Sequence, residues 1–209
     1  MCSVSNIPER RKTPPLRGSL VKWEYTNTVS KITLSMCLAD AGIVRVTYFP
    51  GAVPEDEPSY AVSPGYSAPG AEIREYDEDG VHVVETSLLR IRIRTEEQKV
   101  DFYDVATDEP LLTDEGGFGR ESKDWTGDAR VWIRKNLQET EHFFGLGDKP
   151  CALNLRGKYF SMWGADHYDF HEESDPLYKS IPFFLSLRER KAYGLLFDNT
   201  CRSYFDFGA

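Results

Sequence analysis

Residues 89–94 read Leu-Arg-Ile-Arg-Ile-Arg. Apolar and cationic side chains alternate with a period of two. Only an extended strand puts Leu89, Ile91 and Ile93 on one face and Arg90, Arg92 and Arg94 on the other. The same period recurs at 31–36 and 43–49. Residues 72–76 and 81–86 flank Asp77-Glu78-Asp79-Gly80. An Asp-Gly pair accepts the positive φ of a type I′ turn, so a hairpin is expected there. Further short strands are expected at 100–103, 129–133, 159–163, 181–187, 192–197 and 202–207, with Arg188-Glu189-Arg190-Lys191 as a solvated hairpin tip. Neither a long amphipathic helix nor an internal repeat is visible. The prediction is all-β, as an antiparallel β-sandwich.

At 209 residues the chain is long enough to bury a real core in one domain. With 40% hydrophobic and 28% charged residues it reads as a soluble globular protein. A formal charge of -9 argues against nucleic acid, which would require a basic patch. No apolar run approaches the roughly 20 residues that span a bilayer, so no membrane partner is expected. The basic start (Arg10, Arg11, Lys12) is not followed by an apolar run and does not read as a secretory signal. Cys2, Cys37, Cys151 and Cys201 lie far apart without a Cys-x-x-Cys pair, which fits reduced thiols and a cytoplasmic setting. The expected organisation is a tail at 1–19 and a sandwich over 20–209, with a Pro/Gly-rich surface loop at 50–70.

The stretch 142–183 combines a Gly-x-Gly turn, aromatic rings and acidic residues. Such a mixture suits a polar ring compound, since sugars present apolar faces edged by hydroxyls. Trp163 and Tyr168 are candidates to stack on a sugar face. His167 and His171, with Asp166, Asp169 and Glu172, superficially suggest a metal site. Spacing of four brings ligands together only on a helix, and the context here is a loop, so no metal is expected. No helix or Lys-Ser/Thr follows Gly145-x-Gly147, which therefore reads as a tight strand-end turn and not as a phosphate cradle.

Several motifs follow one another in order: 143–148 (FFGLGD), 153–159 (LNLRGKY), 163–166 (WGAD), 175–183 (DPLYKSIPF), 193–200 (YGLLFDNT) and 202–206 (RSYFD). This succession resembles the N-terminal β-sandwich of the family 31 glycoside hydrolases, the α-glucosidase family. The resemblance implies a mutarotase-like supersandwich that precedes a (β/α)8 barrel. That barrel holds an aspartate nucleophile and an aspartate acid/base, and a retaining mechanism needs such carboxyl groups roughly 5 Å apart. The barrel motifs are missing from this chain, which is expected to be a piece of a longer enzyme and inactive alone, without catalytic residues or cofactors of its own. The resemblance also implies that a sandwich loop gives an aspartate to sugar hydroxyls near the cleavage point. The matching residue is Asp166, three after Trp163, with Gly164 where the commoner pattern has Asn. Asp175-Pro176-Leu177-Tyr178 is expected to position that loop.

The implied partners are an α-linked glucoside or oligosaccharide and the catalytic barrel of the same polypeptide. Unpaired edges and an uncovered apolar face would also make the isolated chain a homo-oligomer. One alternative is a stand-alone carbohydrate-binding module of mutarotase-like fold. Aldose epimerase chemistry would need a His/Glu acid-base pair, for which 167–172 is the candidate. Sugar, linkage, and hydrolysis against transglycosylation or lyase chemistry are not written in the sequence.

Overall fold

The computed structural model describes residues 9–13, 21–51, 53, 59, 61–62, 71–122 and 129–209. Cys2 and most of the Pro/Gly-rich stretch at 50–70 lie outside the described residues. Among the described residues all regular structure is strand, and every pairing is antiparallel. The chain divides into two compact units, Met1–Pro58 with Val62–Asn136, and Ser59–Ala61 with Leu137–Ala209.

In the first unit, β1 (Glu9–Thr13), β2 (Val21–Thr26), β3 (Ile32–Asp40) and β4 (Ile43–Pro50) form one sheet in chain order. A second meander contains β5 (Arg74–Glu78), β6 (Val81–Glu85), β7 (Leu89–Arg94), β8 (Lys99–Asp104) and β9 (Pro110–Leu112). The two meet through Trp23, Tyr25, Leu34, Met36 and Leu38 on one side and Val84, Ile91, Ile93 and Val100 on the other. Each such side chain contributes roughly 1.5–3 kcal/mol by leaving water. The alternation at 89–94 is realised as expected: Ile91 and Ile93 are fully buried. On the other face Arg90 pairs with Glu85 and Arg94 with Asp101, both at 2.6 Å. The Asp-Gly hairpin also forms, with Glu78 opposite Val81 and positive φ at Asp79 and Gly80.

Residues 9–13 correct the expected tail. They make β1 and pair along their length with β2. The strand has no apolar period because its side chains reach acidic partners instead, Arg10 to Asp77 at 2.9 Å and Lys12 to Glu75 at 2.5 Å. A ribbon of β10 (Asp114–Ser122) and β11 (Ala129–Lys135) follows. The buried Asp114 ties it to β8: its Oδ2 accepts the Val100 amide at 2.7 Å, its own amide donates to Asp101 at 2.8 Å, and Lys135 pairs with it.

In the second unit, β12 (His142–Gly147) pairs with β14 (Ser180–Arg188), which pairs with β15 (Lys191–Leu196); β13 (Tyr159–Met162) pairs with β16 (Ser203–Asp206). Phe143, Leu146, Phe160, Met162, Phe184, Phe205 and Phe207 fill the core. The Phe143 and Phe207 rings stack at 4.7 Å, with Phe184 edge-on to Phe207 at 5.2 Å. Gly145-Leu146-Gly147 is a correction. The tight turn expected at the strand's end is instead a bulge in the last three residues of β12, with φ of 134°, 66° and 85°. The bulge turns Leu146 fully into the core. A Cβ on Gly145 would stand 2.6 Å from the Phe183 carbonyl, and one on Gly147 equally close to that of Lys179.

Candidate functional site: the loop at 163–178

The loop leaves β13 after Met162 and returns just before β14. Its base is fixed by a buried ion pair. Lys149, with a side chain only 3% exposed, pairs with Asp175 and donates to the Ser161 carbonyl at 2.9 Å. Its ammonium also lies 5.4 Å from the centre of the Phe160 ring. The other oxygen of Asp175 accepts the Ser161 amide at 2.5 Å. Both charges are therefore hydrogen-bonded as well as paired, the condition under which a buried pair is tolerated. Ala165 donates to the Leu177 carbonyl at 3.0 Å, Glu173 to that of Pro150 at 2.9 Å, and Leu177 is buried. The Tyr178 hydroxyl donates to the His167 carbonyl, and its ring meets Phe170 edge-on at 6.4 Å. Residues 175–178 thus position the loop, as their sequence suggests.

What this base presents is a set of exposed side chains. Asp166 is exposed and makes no hydrogen bond or ion pair with any described residue. Tyr168 is 98% exposed and Trp163 45%. The Arg202 guanidinium sits 4.9 Å from the centre of the Trp163 ring, a cation–π contact that holds the indole. Trp163 lines an open depression of about 330 Å³ together with Gly164, Asn199, Thr200 and Ser203. Trp163 therefore stands among hydroxyl and amide groups, while Asp166 and Tyr168 lie outside that lining. The local sequence marks neither Lys149 nor Arg202. A lysine in Gly-Asp-Lys-Pro and an arginine 39 positions beyond Trp163 carry no local signal of their role.

His167 and His171 do not assemble a metal site or an acid-base pair. The His171 ring nitrogen Nδ1 bonds the Glu172 carbonyl at 2.7 Å, turning the ring back on its own loop. Among the described residues no three His, Cys, Asp or Glu side chains converge as metal ligands would. The juxtaposed His and Glu lie elsewhere, in the first unit. Buried His82 has Nε2 3.8 Å from Glu75 Oε2 and Nδ1 2.6 Å from the Tyr25 hydroxyl. Burial lowers the His82 pKa below its usual value. Burial raises the pKa of Glu75, but hydrogen bonds from Lys12 and Trp23 outweigh it and hold the carboxyl below its usual range.

The family described as the glycosyl hydrolase 31 N-terminal galactose mutarotase-like domain matches residues 33–206, most of the chain. The chain belongs to that family. Among relatives of this glycosyl hydrolase 31 domain, alpha-glucosidase 2 of Bacillus thermoamyloliquefaciens is 40% identical over 90 residues, 43% of this chain and 11% of that protein. The alpha-glucosidase of Saccharolobus solfataricus is 35% identical over 79 residues, 38% of this chain and again 11% of the relative. The matched stretch thus spans about a tenth of each. A GH31 dextranase of Flavobacterium johnsoniae, solved with isomaltotriose, superposes with a TM-score of 0.77 at 26% identity, covering 97% of this chain and 23% of that one. A GH31 alpha-xylosidase of Xanthomonas citri shares the fold, with a TM-score of 0.65 at 20% identity over 86% of this chain and 18% of its own. The fold is therefore that of the family's mutarotase-like sandwich. No described helix is long and apolar enough to cross a membrane.

Proposed function

We propose that this chain is the substrate-orienting wall of a retaining α-glycosidase whose catalytic barrel belongs to the same natural polypeptide, acting on α-linked glucosides or oligosaccharides. One observation carries the reading. Asp166 is an uncommitted carboxylate on a loop whose base is fixed by the buried Lys149–Asp175 pair. A carboxylate accepts hydrogen bonds from two vicinal hydroxyls at once, and charge-assisted bonds of this kind are the stronger ones. Trp163, held by Arg202, supplies an apolar face beside it in sequence. The α-glucosidase relatives and the dextranase neighbour support a glucoside as the substrate class.

The barrel has a surface suited to it. On β14, Phe184 and Ser186 point into the core while Ile181, Phe183, Leu185 and Leu187 are 38–50% exposed. Leu196 of β15, opposite Phe183, extends that apolar row. Such a face gains by being covered.

The expected outcome is that Asp166→Ala in the natural enzyme lowers kcat/KM for isomaltose and maltose about 10- to 100-fold, the value of one hydrogen bond to a charged group. Wild-type kinetics in that variant would remove the assignment, as would a natural reading frame that holds no barrel.

A further inference from the structure

The β10–β11 ribbon of the first unit carries an exposed indole and three charged side chains on one face. The register sets Gly119 opposite Trp132, Gly117 opposite Arg134 and Glu121 opposite Arg130, and residues paired across an antiparallel ladder share a face. Trp132 lies on the Gly119 backbone: a Cβ there would stand 2.2 Å from the indole. The ring remains 40% exposed. An indole covering a strand glycine is a stabilising pair in its own right, but that role makes no demand on its neighbours.

The neighbours are what point to a ligand. Arg130 and Arg134 flank Trp132 at two residues on either side, about 6.6 Å each way along the strand. Both are exposed, as is Glu121. None of the three makes a hydrogen bond or ion pair with any described residue. In the second meander of the same unit, by contrast, Arg74, Arg90, Arg92 and Arg94 all have carboxylate partners. An open indole edged by two uncommitted donors and one uncommitted acceptor matches a pyranose, whose apolar face is rimmed by hydroxyls that both donate and accept. A purely anionic ligand would use the two arginines but leave Glu121 as a like charge at its edge, whereas a neutral ring uses all three groups. A purely apolar one would leave three charges to be desolvated without compensation.

We infer that Trp132, Arg130, Arg134 and Glu121 form a surface site for a neutral α-glucan chain, with one glucosyl ring on the indole and its hydroxyls bonded to the flanking charges. The inference rests on the reading of the chain as part of a sugar-cleaving enzyme. Its role would be to hold polymer for the enzyme.

Isothermal titration of the 209-residue chain with isomaltotriose and with maltotriose tests it. Binding of at least one trisaccharide is expected, accompanied by a change in tryptophan fluorescence. The double variant Arg130→Gln/Arg134→Gln, which leaves the indole seated on Gly119, is expected to weaken binding about tenfold, and Trp132→Ala to weaken it as much or more. A melting temperature for the double variant within a degree or two of wild type shows that the loss is not one of folding. Absence of binding by either sugar at millimolar concentration overturns the inference, and so does binding that survives the double variant or is lost only on Trp163→Ala. None of these outcomes bears on the Asp166 kinetics, so the two readings fail separately.

Discussion

Lys149 has an ordinary sequence context and an extraordinary burden. Its ammonium is buried against Asp175, the Ser161 carbonyl and the Phe160 ring. Lys149→Met leaves the Asp175 carboxylate with the Ser161 amide as its remaining partner at the base of the loop. The expected cost is about 3 kcal/mol in urea unfolding, the range for breaking a buried pair. The Ser161–Asp175 bond moderates it. A loss under 1 kcal/mol in that titration would show that the pair is not what fixes the loop. His82 gives a pH dependence with a definite sign. Burial disfavours its charged form, as do Arg10 and Lys12, while Asp77 and Glu75 oppose them, and the net folded pKa lies below the ordinary 6.5. The unfolded chain therefore takes up the proton first as pH falls. This contribution to stability is complete above about pH 6.5 and is lost on acidification towards the folded value. Urea midpoints measured between pH 8 and 5 should decline through that window in the wild type and decline less in His82→Gln; parallel curves would refute it.

At the scale of elements, two glycines with positive φ make a comparison. Gly80 in the β5–β6 turn has nothing within 4 Å of the place a Cβ would occupy, so Gly80→Ala should cost about 1 kcal/mol, the conformational preference alone. Gly145 in the β12 bulge adds a collision with the Phe183 carbonyl, and Gly145→Ala should cost at least twice as much in the same thermal or urea assay. Equal costs would mean that β14 yields easily. The same pair shows what the residues disclose unaided. A two-residue turn is a local event, and Asp79-Gly80 announces it, just as Ile91 and Ile93 announce β7 by their period. The bulge is defined by the approach of β14 from more than 30 positions away, and Gly145-Leu146-Gly147 has no local mark of that. Strand β1 is illegible for a related reason, since what it adds to its ladder with β2 comes from Asp77 and Glu75 across a long sequence gap and not from apolar alternation. In the candidate site, the Asp175-Pro176-Leu177-Tyr178 brace was legible through its turn chemistry. The lysine and arginine that complete it were not, because a cation finds its carboxylate or ring only after folding.

For the molecule as a whole, the outward row of Ile181, Phe183, Leu185, Leu187 and Leu196 is the feature with consequences in solution. The isolated chain is expected to associate through it, giving a mass above 23.9 kDa by light scattering that returns to the monomer value in Leu185→Glu. A wild-type chain that stays monomeric at high concentration would show that the row needs no cover. The brace beneath the loop has a different kind of consequence. Because residues 149, 161 and 175 settle the path of the backbone in the free chain, a saccharide bound as proposed would leave little ordering entropy to be lost on capture. It also separates two parts of the loop: the ion pair that fixes the stem uses no side chain from 166 to 172. On the proposed reading, substitutions at Asp166 and Tyr168, whose side chains bond no described residue, would alter which hydroxyl pattern is gripped without removing the pair beneath them, a division of labour that would let preference among sugars drift while the scaffold stays constant.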